Sequence, residues 1–271
     1  MRVALSVSAL EARRLVRRRW FLWALAAGPV AAVLIALSAL GEQGLAREDD
    51  LRQGAATLLL LGGLAVAAAL GAAALNTDSD SGHFGALLGN GASRVGLVAG
   101  ALLARVAGLV AVLVVWGLSA QGASVAVSLG GDADLALHTA LMGIALLLTL
   151  TAAAAGSSVV NPAVSAIFGV SVFITAQAMV NLKAAADQDI IGTAGAGING
   201  AYLISPRIPT SPLMEELQVR DATGPAVPRV DINGNEVLLQ ATGWQTAVWA
   251  LGWCALLGLL AYLGMRRRPI A

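Results

Sequence analysis

The chain has 271 residues, 58% of them hydrophobic and 12% charged, with a mean hydropathy of +0.77. A soluble domain carries about 25% charged residues, so this balance excludes one and indicates an integral membrane protein. The single cysteine, Cys254, sits in an apolar run and excludes a disulfide framework or cysteine-based metal centre within one chain, while the net charge of +1 averages two opposed sets of segments.

Residues 1–20 place Leu5, Ala9, Ala12, Val16 and Trp20 at helical spacing, with Glu11, Arg14, Arg17 and Arg18 on the other side. That pattern predicts an amphipathic interfacial helix lying along the membrane, and fits equally an elbow entering the first span and a basic positive-inside anchor, two readings that do not exclude each other. Arg18-Arg19-Trp20-Phe21-Leu22 mimics a twin-arginine export signal, but further spans follow where a soluble mature protein should begin. The first span is expected over residues 21–40 and the second over 55–75. Between them, residues 41–54 read as a charged loop containing Glu42, Arg47, Glu48, Asp49, Asp50 and Arg52.

Residues 76–100 interrupt two long apolar runs with polar, jointed sequence. Asp78 or Ser79 offers an N-cap, and Phe84, Leu87 and Leu88 share one face of a short helix. Gly89-Asn90-Gly91 stops that helix, and Ser93-Arg94 starts the next. The third span has two registers: residues 96–119 bury Arg105 at mid-depth, and residues 106–127 put it at the inner edge. A central Arg costs about 3 kcal/mol or more, whereas one at the edge can snorkel, so the second register is preferred. Residues 94–105 then form a cytosolic extension, along which Gly96, Gly100, Ala104 and Gly108 make a small-residue ridge for close helix packing.

Asp132 and Asp134 mark the next outer turn, followed by a fourth span over 135–155, an inner turn over 156–162 and a fifth span over 163–182. Ser171, Thr175, Gln177 and Asn181 in the fifth span either line a solute path or satisfy backbone and neighbouring helices. Residues 183–243 form a long polar segment, with a short helix at 214–219 and a hairpin at 230–239 around Asn233-Gly234. The sixth span covers 244–263 and is closed by Arg266, Arg267 and Arg268.

Six spans put both termini on one side, and the charges say which. Inner segments hold 11 of the 17 basic residues and 3 of the 16 acids, a net +8; outer segments hold the other 6 bases and 13 acids, a net −7. The positive-inside rule then places both termini and residues 76–105 in the cytosol and residues 183–243 outside a cytoplasmic membrane.

Enzyme chemistry has little to work with. Lys183, the sole lysine, lies at the outer end of a span, so the chain has no phosphate-binding loop of the G-x-x-x-x-G-K-[ST] type. Gly195-Ala196-Gly197-Ile198-Asn199-Gly200 matches G-x-G-x-x-G, but no strand precedes it, and it reads as a flexible outer loop. His83 and His138 fall on opposite faces of the membrane and there is no H-E-x-x-H, which leaves neither a metal site nor a Cys-His nucleophile. No catalytic residue, metal or cofactor is expected in the chain itself.

The 76–100 stretch resembles the region between the second and third spans of ABC-2 type permeases. Asp78 and Asp80 stand at the carboxylate positions of that pattern, Gly82 at the glycine that opens the short helix and Leu87-Leu88 at the apolar positions, while Ser93-Arg94 and Gly100 match later positions. His83 replaces the usual Thr and Ala101 the usual Lys. The similarity is nearest to accessory permeases beside periplasmic metalloenzyme and copper-maturation systems. It implies a single all-α transmembrane domain over 1–271, with six spans, an elbow helix over 1–20, a coupling helix within 76–105 and a long outer segment between spans five and six. It also implies a homodimer that works with a separate ATPase carrying the ATP and magnesium. Asp78, Asp80, Gly82, Phe84, Leu87, Leu88 and Arg94 would be the docking residues. A rival reading is a membrane scaffold or maturation factor that binds an extracytoplasmic protein through residues 183–243 and moves no solute. An ATP-independent carrier would require mid-depth ionisable residues and inverted repeats, and the sequence offers neither.

Overall fold

A computed structural model describes residues 2–41, 45–75, 83–89, 91–127, 129–187, 194–209, 229–232, 235–238 and 243–267. In chain order the helices are α1 (Arg2–Arg17), α2 (Arg19–Ala39), α3 (Leu45–Thr57), a π-helical turn (Leu58–Gly62), α4 (Gly63–Ala72), α5 (His83–Gly89), α6 (Arg94–Ala126), α7 (Ala133–Ser157), α8 (Pro162–Asp187) and α9 (Gly195–Ile204). Strands β1 (Arg229–Ile232) and β2 (Asn235–Leu238) follow, and α10 (Gly243–Arg267) ends the described chain. Among the described residues six helices are long and apolar enough to cross a membrane, with α3, the π-turn and α4 running together as one of them. The protein is a multi-pass membrane protein. The two strands pair antiparallel, Arg229 opposite Leu238 and Ile232 opposite Asn235, which is the hairpin expected around Asn233-Gly234.

Short polar side chains set the starts of three helices. Ser93 accepts from the Gly96 amide at 3.1 Å at the head of α6. Asp132 accepts from the Asp134 and Leu135 amides at the head of α7, and Asn161 accepts from the Val164 amide at 2.9 Å ahead of Pro162, the first residue of α8. The stop after α5 is a Schellman turn: the Ala92 amide donates to Leu87 O, the Gly91 amide to Leu88 O, and Gly91 adopts φ +82°.

α7 lies at the centre. Gly71 of α4 meets it so closely that a Cβ there would sit 2.3 Å from Leu150 O, and a Cβ on Gly169 of α8 would sit 2.8 Å from Thr149 O. In lipid such packing, rather than apolar burial from water, holds helices together. On the other side of the bundle, the buried Trp116 of α6 fills notches at Gly28 of α2 and Gly62 of the π-turn, and its indole N–H donates to Ala24 O at 2.9 Å.

Two segments expected to be loops are helical. Residues 45–54 lengthen the second span at its N-terminal end as α3, because Glu48 in the first turn suits the helix N-terminus and pairs with Arg52 one turn on at 3.0 Å. Arg52 also reaches Asp132 at 2.7 Å, which ties α3 to the start of α7. The glycine pattern at 195–200 lies in α9, a helix that packs on α8, with Gly195 beside Ala186 and Gly197 and Gly200 facing open space. α8 also continues beyond residue 182 to Asp187, which pairs with Lys183. The short helix expected at 214–219 lies outside the described residues.

Candidate functional site

The joint between the second and third spans is built at the foot of α6. With 33 residues this helix is roughly 50 Å long at 1.5 Å per residue, and a bilayer core of about 30 Å needs only about 20 residues. The helix therefore has more than ten residues to spare.

α1 covers that surplus. A Cβ on Gly96 would meet Val3 Cγ1 at 3.0 Å, one on Gly100 would meet Val7 Cβ at 2.6 Å, and one on Gly108 would meet Leu15 Cδ2 at 2.5 Å. The contacts advance in the same direction on both helices, so α1 runs lengthwise along α6 for about three turns. The small-residue ridge has found its partner, and that partner is α1.

The face of α1 that meets α6 is not the expected membrane-facing stripe, which stays exposed as a lipid-facing stripe would. Val7, Glu11 and Leu15 are buried, whereas Leu5 and Val16, assigned to the membrane-facing stripe, are exposed. The ridge on α6 selected a different face, one whose middle member is an acid. Arg105 departs from its expected place at the edge: the residue does not snorkel but lies 1% exposed inside the protein, its Nη2 3.6 Å from Glu11 Oε2 and 3.4 Å from Ala73 O. Glu11, equally buried, also receives Arg14 at 3.4 Å. One guanidinium thus joins α1, α6 and the end of the second span. Its sequence signal was slight: Glu11 is the only acid in the first forty residues and Arg105 the only charge between Arg94 and Asp132.

α5 docks on the same assembly. Phe84 is fully buried, in a cluster with Val7, Leu75, Leu97, Val98 and Met265, and Leu87 and Leu88 pack half-buried against it. Phe84 is therefore an anchor into its own chain and is not presented to a partner; the outward residues of α5 are Ala86 and Gly89. Arg94 donates to Met265 O at 3.2 Å and Arg266 O at 2.8 Å, so it holds the last turn of α10, where a cation meets the negative end of the helix. Asp78, Asp80 and Gly82 lie outside the described residues.

The four polar residues of the fifth span do not converge. Ser171 and Thr175 are exposed on the outside of α8, while Gln177 and Asn181 are half-buried on another face and hydrogen-bond each other at 3.4 Å. At the opposite end of the bundle the Arg207 guanidinium stacks between the rings of Tyr202 and Trp249, at 3.9 and 4.7 Å, and donates to Tyr202 O. Trp249 in turn donates to Ser205 O at 2.9 Å, pinning the segment after α9 to α10.

No family model matches the chain, and no curated protein matches it either.

Proposed function

We propose that the chain is the membrane-spanning permease subunit of an ATP-driven transporter of the ABC-2 type, working as a homodimer with a separate ATPase in a cytoplasmic membrane, both termini cytosolic. The observation that carries this reading is the joint itself. A seven-residue helix is linked through a Schellman turn and a Ser93 cap to an overlong spanning helix. That helix is in turn fastened to α1 through the Glu11–Arg105 pair and to α10 through Arg94. A push on α5 would move three helices together, as a lever for coupling would require. The outward face of α5, Ala86 and Gly89, is the surface offered to the ATPase.

The test is co-purification. Ala86→Arg with Gly89→Arg changes only exposed positions, so it should abolish capture of a phosphate-loop ATPase and its stimulated ATP turnover while leaving the melting temperature unchanged. Capture and turnover at wild-type levels would overturn docking through α5. Leu87→Asp with Leu88→Asp is less informative, because both side chains are half-buried in their own chain and their loss would also loosen the fold.

A second reading, an extracytoplasmic docking scaffold, draws on the Tyr202–Arg207–Trp249 stack, which holds part of the outer segment in a defined shape. It predicts that Arg207→Ala removes function while the α5 substitutions do not.

A further inference from the structure

Between α8 and α10, beside the turn joining α7 to α8, lies a groove of about 860 Å³, within the range of roughly 300–1,000 Å³ typical of ligand pockets. Its walls are apolar, formed by Val164 and Phe168 from α8 and Leu257, Leu260 and Leu263 from α10. One end is closed where Gly264 meets the turn: a Cβ there would lie 2.0 Å from Ser158 Oγ. At that end Arg267 lines the mouth, exposed, with exposed Arg266 beside it, and none of the lining residues is acidic.

Length and charge together choose the occupant. Leu257 to Arg267 spans ten residues of helix, about 15 Å, which is half of a bilayer core of about 30 Å. The groove is therefore one leaflet deep, apolar along its length and basic only at the rim. A soluble anion would not use the apolar length, and a neutral lipid would not use the arginines.

We propose that this groove is a site for one anionic phospholipid, an acyl chain lying against Phe168 and Leu260 and the phosphate held by Arg267 with Arg266 beside it. The same end of the bundle carries Arg94, which bonds to the backbone of Met265 and Arg266 and so fixes the turn that presents the two guanidinium groups. Being anchored in the α7–α8 turn and α10, the site does not depend on the transport reading.

The test uses the full-length chain in detergent, titrated with palmitoyl-oleoyl phosphatidylglycerol and, separately, with the phosphatidylcholine of the same chains, with bound lipids counted by native mass spectrometry. At about fivefold per basic residue near an anionic group, the wild type should prefer phosphatidylglycerol by roughly five- to thirtyfold at a stoichiometry of one per chain. Arg266→Gln with Arg267→Gln should erase the preference but retain weak binding of both lipids. Leu260→Trp, which fills the groove and keeps both charges, should lose the tightly bound lipid. Equal affinity for the two lipids in the wild type, or a preference that survives both variants, overturns the proposal. Oxidative dimerisation of Leu260→Cys in a Cys254→Ser background would also overturn it, because the groove would then be covered by a second copy.

Discussion

Arg105 and Glu11 decide more of this protein than any other two side chains. Each is an expensive group to bury, and breaking such a pair from one side typically costs about 3–5 kcal/mol because the other charge stays behind. Glu11→Gln should therefore destabilise the detergent-solubilised protein by about that amount. Glu11→Leu with Arg105→Leu should recover much of the loss. A Glu11→Gln melting curve superimposed on the wild type would show that the pair is not structural. Trp116 is the apolar counterpart, wedged against Gly28 and Gly62. Trp116→Ala should cost about 3–5 kcal/mol through the cavity it leaves, read by urea or thermal unfolding. Asp132 adds a pH-dependent contribution. Burial pushes its carboxyl up, but the Arg52 guanidinium and the Leu135 and Asp134 amides outweigh that and hold its pKa below the ordinary value. A lowered folded-state pKa contributes stability that is present above the unfolded value and lost as pH falls through the folded one. Asp132→Asn keeps the helix cap but removes the charge. It should be less stable than wild type at neutral pH, and the difference should close under acid, below the ordinary carboxylate range; a gap independent of pH would assign the effect to something other than Arg52.

At the level of elements, α1 and the foot of α6 behave as a two-helix unit. The Gly96 Cβ position lies 3.4 Å from Val3 Cβ, next to the range of about 3.5–4.5 Å seen in disulfides. Val3→Cys with Gly96→Cys in a Cys254→Ser background should cross-link on mild oxidation without loss of stability. Absence of the cross-link would mean that α1 leaves α6 in the membrane. Gly100→Leu makes the complementary prediction: a side chain where Val7 Cβ and Ala4 O now approach within 3 Å should expose α1 to limited proteolysis. The same steric logic explains why the sequence pattern did not show which side of α1 would meet α6. Both of its faces carry apolar residues, and helical periodicity alone does not say which one meets a groove of glycines. α3 and α9 were missed for a related reason: acids and glycines argue against helix locally, but a first-turn acid and a tertiary contact reverse the balance.

For the molecule as a whole, the bundle concentrates its connections at one end. The foot of α6, the end of α10, α1 and α5 meet there, joined by the Phe84 cluster, the Glu11–Arg105 pair and the Arg94 contacts. The opposite end is held by separate devices, Arg52 with Asp132 and Arg207 between Tyr202 and Trp249. Under the proposed permease function, a displacement at α5 is transmitted as a tilt of α6 with α1 and α10. Removing the Glu11–Arg105 link should then reduce ATPase-coupled activity more than ATPase binding. Equal losses of binding and activity in Glu11→Gln would argue for simple unfolding.

Hydropathy, charge and caps are local or additive properties, and they were sufficient for the six spans, the small helix stopped at Gly91, the hairpin and the ridge on α6. An apolar run of about 20 residues has few ways to satisfy its backbone in lipid except as a helix, and Ser93, Asp132 and Asn161 act within a single turn. Which face of α1 is buried, where the charge of Arg105 goes, whether Phe84 points out or in, and what Arg94 holds are properties of pairs distant in sequence. Each is decided by which surfaces fit against which, and a close-packed glycine ridge with one buried ion pair has that information only once the helices are side by side.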